Sequence, residues 1–188
     1  RPALQPLVLN GNFDQDLNLW PAATVGSTGW SSENGFGALS SGSAWVHMDP
    51  APQVNVYGLS HCVHLPGPGT YALNGYGKSV GFTITSRDQL FLQWQYRSDG
   101  GEACNAGAPI GEGTHFLTSS SSWTRAATPT FITVSEAEWT HNSSINVTLM
   151  VRDTSVTAPA SVSGYFDGIS LTLDSNAMPG ALLKDGFE

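Results

Sequence analysis

Five residues of this 188-residue chain, Asn74, Tyr76, Gln93, Gln95 and Arg97, carry groups of the kinds that can hold a sugar. A sugar ring presents a flat C–H face that stacks on an aromatic ring. Its rim of hydroxyls needs amides, carboxylates or a guanidinium. All five lie in period-two segments, on the side opposite an apolar stripe, so neighbouring strands would make them one surface. Trp45 and His47 stand opposite a third stripe, Ala44/Val46/Met48, and would join them. A second reading stays open, since every sandwich strand has an outer face and Tyr and Gln often simply occupy it. If the strand over residues 88–97 is inverted, Trp94 and Tyr96 face the ligand instead.

Catalytic arrangements are missing. The chain has no Gly-x-Ser-x-Gly elbow and no His-Glu-x-x-His. His61 and His64 are three apart, so on a strand they point to opposite faces and cannot share a metal. Glu136 and Glu138 are a carboxylate pair of the kind used in glycoside hydrolysis, but they read as exposed acids on a turn. Ala72-Leu-Asn-Gly-Tyr-Gly77-Lys78-Ser79 imitates a phosphate loop. That chemistry needs a helix after the loop, whereas Val80-Gly-Phe-Thr-Ile-Thr reads as strand, so nucleotide binding is not expected.

The elements that must position these residues are strands. Apolar residues alternate at Leu59/His61/Val63/Leu65, Leu90/Leu92/Trp94/Tyr96, Ile145/Val147/Leu149/Val151 and Ile169/Leu171/Leu173. Leu7 and Leu9 lead into the turn Asn10-Gly11-Asn12, and Pro66-Gly67-Pro68-Gly69 breaks the chain before Tyr71 and Leu73. Residues 82–97 divide into two strands, 99–115 read as a Gly-rich loop, and Ser135–Trp139 offers one helical turn. Roughly ten short strands predict an all-β sandwich or barrel of antiparallel sheets with little or no helix, in one domain over 1–173 followed by a tail over 174–188. Trp20, Trp30, Trp123 and Trp139 read as core or loop packing.

Composition narrows the partners. Only 12% of residues are charged, with 7 basic and 15 acidic side chains for a net charge of −8. Such scarce cations do not make a phosphate-tracking surface, so nucleic acid is excluded. No apolar run is long enough to span a membrane as a helix. Lysine is confined to Lys78 and Lys184, and the polar positions fall to Ser, Thr, Asn and Gly, usage that fits strands, turns and export from the cell. The start at Arg1 without an apolar leader reads as a mature form. In an exported protein Cys62 and Cys104 are expected to pair, and the alternative is two buried free thiols.

Three segments carry a likeness: Asn10-Gly11-Asn12-Phe13-Asp14 followed by Trp20, then Val63-His64-Leu65-Pro66 with Gly69-Thr70-Tyr71-Ala72-Leu73, then Tyr165-Phe166-Asp167-Gly168-Ile169-Ser170-Leu171. Their order and spacing resemble the jelly-roll carbohydrate-binding modules of families four, nine, sixteen and twenty-two, over about residues 7–173. Asp14 stands where the family pattern has Glu. The resemblance implies a structural calcium ion where the terminal strands meet, held by Asp14, Asp167 and carbonyls of the Asn12 turn. The other reading is that both acids accept backbone N–H groups and hold no metal. The last residues, Leu182-Leu-Lys-Asp-Gly-Phe-Glu188, resemble a short ending on secreted proteins of gammaproteobacteria, which implies a bacterial, exported origin.

These readings converge on a non-catalytic, extracellular module that binds a neutral polysaccharide. Two others remain. One is a structural subunit of a filament, matrix or adhesin that self-associates by passing Arg1–Leu9 or Ala177–Glu188 to a neighbour. The other is the accessory β-domain of a secreted hydrolase.

Overall fold

The computed structural model describes residues 7–22, 27–35, 41–50, 54–82, 88–154 and 161–174. Alternation turns them into ten strands: β1 (Ser27–Ser31), β2 (Ser43–Met48), β3 (Val54–His64), β4 (Gly69–Val80), β5 (Asp88–Arg97), β6 (Gly111–Leu117), β7 (Thr124–Arg125), β8 (Thr130–Val134), β9 (Ser144–Asp153) and β10 (Val162–Leu173). They form two antiparallel sheets. One is six-stranded in the order β1-β2-β10-β4-β7, with β8 also pairing β4, and the other is four-stranded in the order β3-β9-β5-β6. The expected all-β sandwich of jelly-roll type is therefore the observed fold, with no helix among the described residues. The tail expected over 174–188 lies outside those residues apart from Asp174, as do the terminal segments Arg1–Leu9 (bar its last three residues) and Ala177–Glu188.

The inward stripes meet between the sheets. Ile145, Val147, Leu149 and Val151 of β9 are fully buried, as are Leu90 and Leu92 of β5, Leu73 of β4 and Phe166 of β10. Removing each such side chain from water stabilises the fold by about 1.5–3 kcal/mol. Trp20 is buried with them, Trp139 packs against the core from its edge, and Trp30 stays 43% exposed.

Some expectations shift. The Gly-rich loop is shorter than 99–115 because its last residues form β6, where His115 and Leu117 face inward. Gly113 is needed there, since a Cβ would sit 2.9 Å from the Trp94 indole of the paired strand. Leu7 and Leu9 sit in turns rather than a strand. β4 ends at Val80, and 83–87 lie outside the described residues. Residues 135–139 make a single turn, closed by the Trp139 N–H donating to Ser135 O at 3.0 Å. The phosphate-loop imitation lies inside β4, where Lys78 pairs with Glu33.

At one close contact between the sheets, a residue of β10 has no side chain. Gly164 of β10 faces Leu90 and Val151, and a Cβ would lie 2.4 Å and 2.7 Å from their methyl groups. Replacing Gly164 by Ala overpacks this contact and should cost about 1–3 kcal/mol. Urea unfolding should show a lower midpoint at unchanged slope. An unshifted midpoint would mean that the sheets can part here without cost.

Candidate functional site

Consecutive strands β4 and β5 belong to different sheets, and this divides the expected sugar surface. Asn74 and Tyr76 lie on the six-stranded sheet with Trp45 and His47, while Gln93, Gln95 and Arg97 lie on the outer face of the four-stranded sheet. The seven residues do not form one surface, because the core stands between the two groups. The strand over 88–97 is not inverted: Leu90, Leu92 and Tyr96 are buried in the core and Trp94 packs against it.

The outer face of the four-stranded sheet is largely a lattice of uncharged polar groups, with Glu112 and Arg97 at one end. Gln93 stands between Thr114 of β6 and Thr148 of β9, and Gln95 between Glu112 and Asn146. The side chains of Gln93 and Asn146 make no hydrogen bond among the described residues and are part-exposed, so their donors and acceptors stay available. Gln95 is oriented by its neighbours: it donates to Glu112 Oε2 at 3.3 Å and accepts from Arg97 Nη2 at 3.2 Å. Phe91 and Phe116 pair at 5.5 Å beyond this lattice, with Phe116 half exposed.

A covalent wall stands at the other end. Cys62 and Cys104 are bonded, with Cα atoms 5.4 Å apart. Cys62 is the cross-strand neighbour of Asn146, so the bridge ties the loop after β5 to this face. Closing a loop of 42 residues contributes about 4 kcal/mol in the chain-entropy account. Arg97 Nε reinforces the wall by donating to Gly107 O at 3.3 Å.

The six-stranded sheet presents a different outer face. Trp45 stacks on His47 (5.5 Å, 11°), and Tyr165 of β10 stands between Trp45 and Lys78. His47 is engaged at both ring nitrogens, with Ser163 Oγ at 2.7 Å and Asp49 Oδ1 at 3.2 Å. Further along, Asn74 lines a cleft of about 500 Å³ with Arg125, Ser170 and Thr172. Asn74 is fixed there: its amide donates to Ala126 O, and its Oδ1 accepts from Gly75 N and contacts His115 Nε2. Arg125 lies over the Tyr76 ring, 5.4 Å from its centre. The sequence singled out neither Arg125 nor Phe131, because their place depends on β7 and β8 pairing with β4. The visible signal for Arg125 was rarity, since it is one of only seven basic residues.

The two acids expected to share an ion lie near enough for the charge of Asp14 to act on Asp167. β10 bulges between Asp167 and Ser170, and Gly168 takes φ +56. Gly11 docks against this bulge, its carbonyl accepting from Ile169 N at 2.9 Å. Asp167 is fully buried, with Oδ2 accepting from Gly35 N (2.6 Å) and Oδ1 from Gly168 N (2.7 Å). Burial pushes its carboxyl up to about 6 against the pull of these two bonds, and the charge of Asp14 adds to the rise. Asp14 and Asn12 are exposed. Among the described residues no third His, Cys, Asp or Glu joins them.

His61 holds the segment that carries Asp14. Its Nδ1–H donates to Leu19 O (2.9 Å), its Nε2 accepts from Leu9 N (3.2 Å), and its ring stacks on Trp20. Phe13, next to Asp14, is buried against Trp20. Burial keeps the His61 pKa below its usual value, so the ring is neutral in the fold.

No family model matches the chain, and no curated protein matches it. Among solved structures, the CBM22-1 xylan-binding domain of a Paenibacillus barcinonensis protein is similar at TM-score 0.53 and 14% identity, covering 92% of this chain and 97% of that one. An arabinose-bound α-L-arabinofuranosidase is similar at TM-score 0.58 and 15% identity, and the tailspike protein 4 enzymatically active domain of bacteriophage CBA120 at 0.57 and 9%. Each match covers 90% of this chain, which spans 26% of the arabinofuranosidase chain and 21% of the tailspike chain. At these identities the likeness is one of fold: the chain has the β-sandwich of carbohydrate-binding modules.

The His61 contacts give a pH dependence of known sign. Unfolded His61 takes a proton near pH 6.5, whereas the folded ring resists it, so stability falls as pH drops below about 6.5. Asp167 acts in the opposite sense below pH 6, because its folded state is the better proton acceptor. The comparison is therefore made between wild type and His61→Gln at each pH. The melting temperature of the variant should fall less between pH 7.5 and 5.5, and parallel curves would contradict this account of His61.

Proposed function

We propose that this protein is a non-catalytic module that binds a neutral polysaccharide on the outer face of its four-stranded sheet. One observation carries the reading: Gln93 and Asn146 hold unpartnered amides, flanked by threonine hydroxyls, on a face walled by the Cys62–Cys104 loop. Amide and hydroxyl groups exchange hydrogen bonds with sugar hydroxyls without the desolvation cost of charges. The Phe116 ring at the margin offers a stacking surface. A face built on strands changes little on binding, which limits the entropy lost. The xylan-binding neighbour and the sugar-bound enzyme neighbour support a glycan as ligand, and an extracellular setting suits the disulfide. Those longer neighbours also leave room for this module to serve as part of a larger secreted hydrolase.

A calcium ion at Asp14 and Asp167 is part of the proposal. The charge of Asp14 raises the proton affinity of Asp167, a repulsion a hard cation would relieve, with carbonyls of the Asn12 turn and water completing six to eight oxygens. Its role would be structural, pinning the N-terminal turn to the bulge of β10.

Two measurements test these statements. In affinity gels cast with xylan, β-glucan or mannan, wild type should be retarded by at least one polymer, and Gln93→Ala with Asn146→Ala should lose most of that retardation at an unchanged melting temperature. Absence of retardation in every gel would remove the reading. Separately, calcium should raise the melting temperature above that in chelator, and Asp167→Asn should abolish the response. An unchanged wild-type midpoint in chelator would reject the ion.

A further inference from the structure

The cleft on the opposite face has a different chemistry from the neutral lattice. Its floor is Ala72 and Asn74 of β4 with Ser170 and Thr172 of β10, and the loop from Arg125 to Pro129 forms its wall. The hydroxyls of Ser170 and Thr172 make no hydrogen bond among the described residues. Phe131 is the cross-strand partner of Ala72 and is 53% exposed, so an uncovered aromatic ring adjoins the floor. A volume of about 500 Å³ lies inside the range of small-ligand sites, about 300–1,000 Å³.

Arg125 is the decisive residue. The described basic side chains elsewhere are engaged: Lys78 with Glu33, Arg97 with Gln95 and Gly107, and Arg152 with Gln89. Arg125 is exposed and makes no hydrogen bond or ion pair among the described residues, only the contact with the Tyr76 ring. That ring holds the guanidinium at the cleft with its donors unused. A planar fork of donors matches a carboxylate in two-point fashion, which a neutral hydroxyl cannot exploit. Behind the floor, His115 is held neutral by burial, and the charge of Arg125 lowers its proton affinity further. Asp167, the nearest acid on the same strand as Ser170, has both oxygens bonded to backbone amides.

We infer that this cleft binds an acidic sugar, with the carboxylate of a uronic acid unit on Arg125, its hydroxyls on Ser170 and Thr172, and its ring against Phe131. The site is separate from the neutral face of the four-stranded sheet and does not depend on it.

The experiment is calorimetric titration of the full chain with a glucuronic acid-bearing xylo-oligosaccharide, the unsubstituted xylo-oligosaccharide, and sodium acetate. The acidic oligosaccharide should bind more tightly than the neutral one. Arg125→Gln should weaken it by about tenfold or more, and Phe131→Ala should weaken it as well. Gln93→Ala should leave this difference between acidic and neutral ligands intact even where it abolishes neutral binding, so the two sites fail independently. Arg125 and Phe131 are exposed, and equal melting temperatures would verify that the variants fold. Equal affinity for acidic and neutral oligosaccharides, an unaffected Arg125→Gln, or acetate binding as tightly as the oligosaccharide would each overturn the inference.

Discussion

The structure depends on a change of phase in β10. Val162, Gly164 and Phe166 face the core at even positions, whereas Ile169 and Leu171 face it at odd ones. In a regular strand a one-residue slip would turn half of these outward. The bulge between Asp167 and Ser170 absorbs the slip, with Gly168 in the left-handed region that favours glycine. The first half of β10 can then pair with β2 and β4, and the second half with β4 alone. The open flank of the second half receives Gly11, which brings the N-terminal turn to the centre of the six-stranded sheet. Asp167 sits at that junction because two backbone amides at the irregularity need an acceptor.

The same bulge shapes one outer face. It delivers Ser170 and Thr172 to the cleft floor beside Asn74, at the gap in the edge where β4 changes partner from β8 to β7. His115 reaches this gap from β6 of the other sheet, bridging Thr130 Oγ1 and Asn74 Oδ1. A concave site therefore forms where pairing is interrupted, while the uninterrupted β5–β9 ladder leaves a flat lattice.

Strands and their faces were legible in the sequence because alternation is a local property of each segment. The stripes on β2, β5 and β9 point inward as read, and so do the individual neighbours Trp45, Tyr76 and Gln93 point outward. The choice of sheet was not legible. β4 and β5 follow one another in the chain, yet β4 bonds to β10 across about ninety residues and β5 to β9 across about fifty. No local pattern records those pairings, so residues that alternate alike were placed on one surface when they occupy two. The cysteine pair was inferable from setting and number, but not its effect of walling one end of the lattice. That effect required knowing that Cys62 neighbours Asn146.

Scarcity of charge takes on a spatial meaning once the faces are separate. With 12% charged residues, most outward positions hold hydroxyls and amides, and each remaining charge has a place set by the fold. Lys78 anchors the 32–35 segment through Glu33, and that segment brings the Gly35 amide to Asp167. Arg97 and Arg152 lie along the four-stranded sheet, each spent on a glutamine of its own face. These bonds to neutral acceptors leave the cations charged but hold both side chains in place among the hydroxyls and amides of that face. Arg125, held by an aromatic ring rather than by an anion, keeps its full capacity for a negative partner. In a chain of net charge −8 a local positive site survives only if nearby carboxylates are consumed elsewhere, and the two backbone bonds to Asp167 do that at the closest one on β10. The bulge that corrects the phase of the core therefore also holds both oxygens of Asp167 on backbone amides, away from pairing with the arginine.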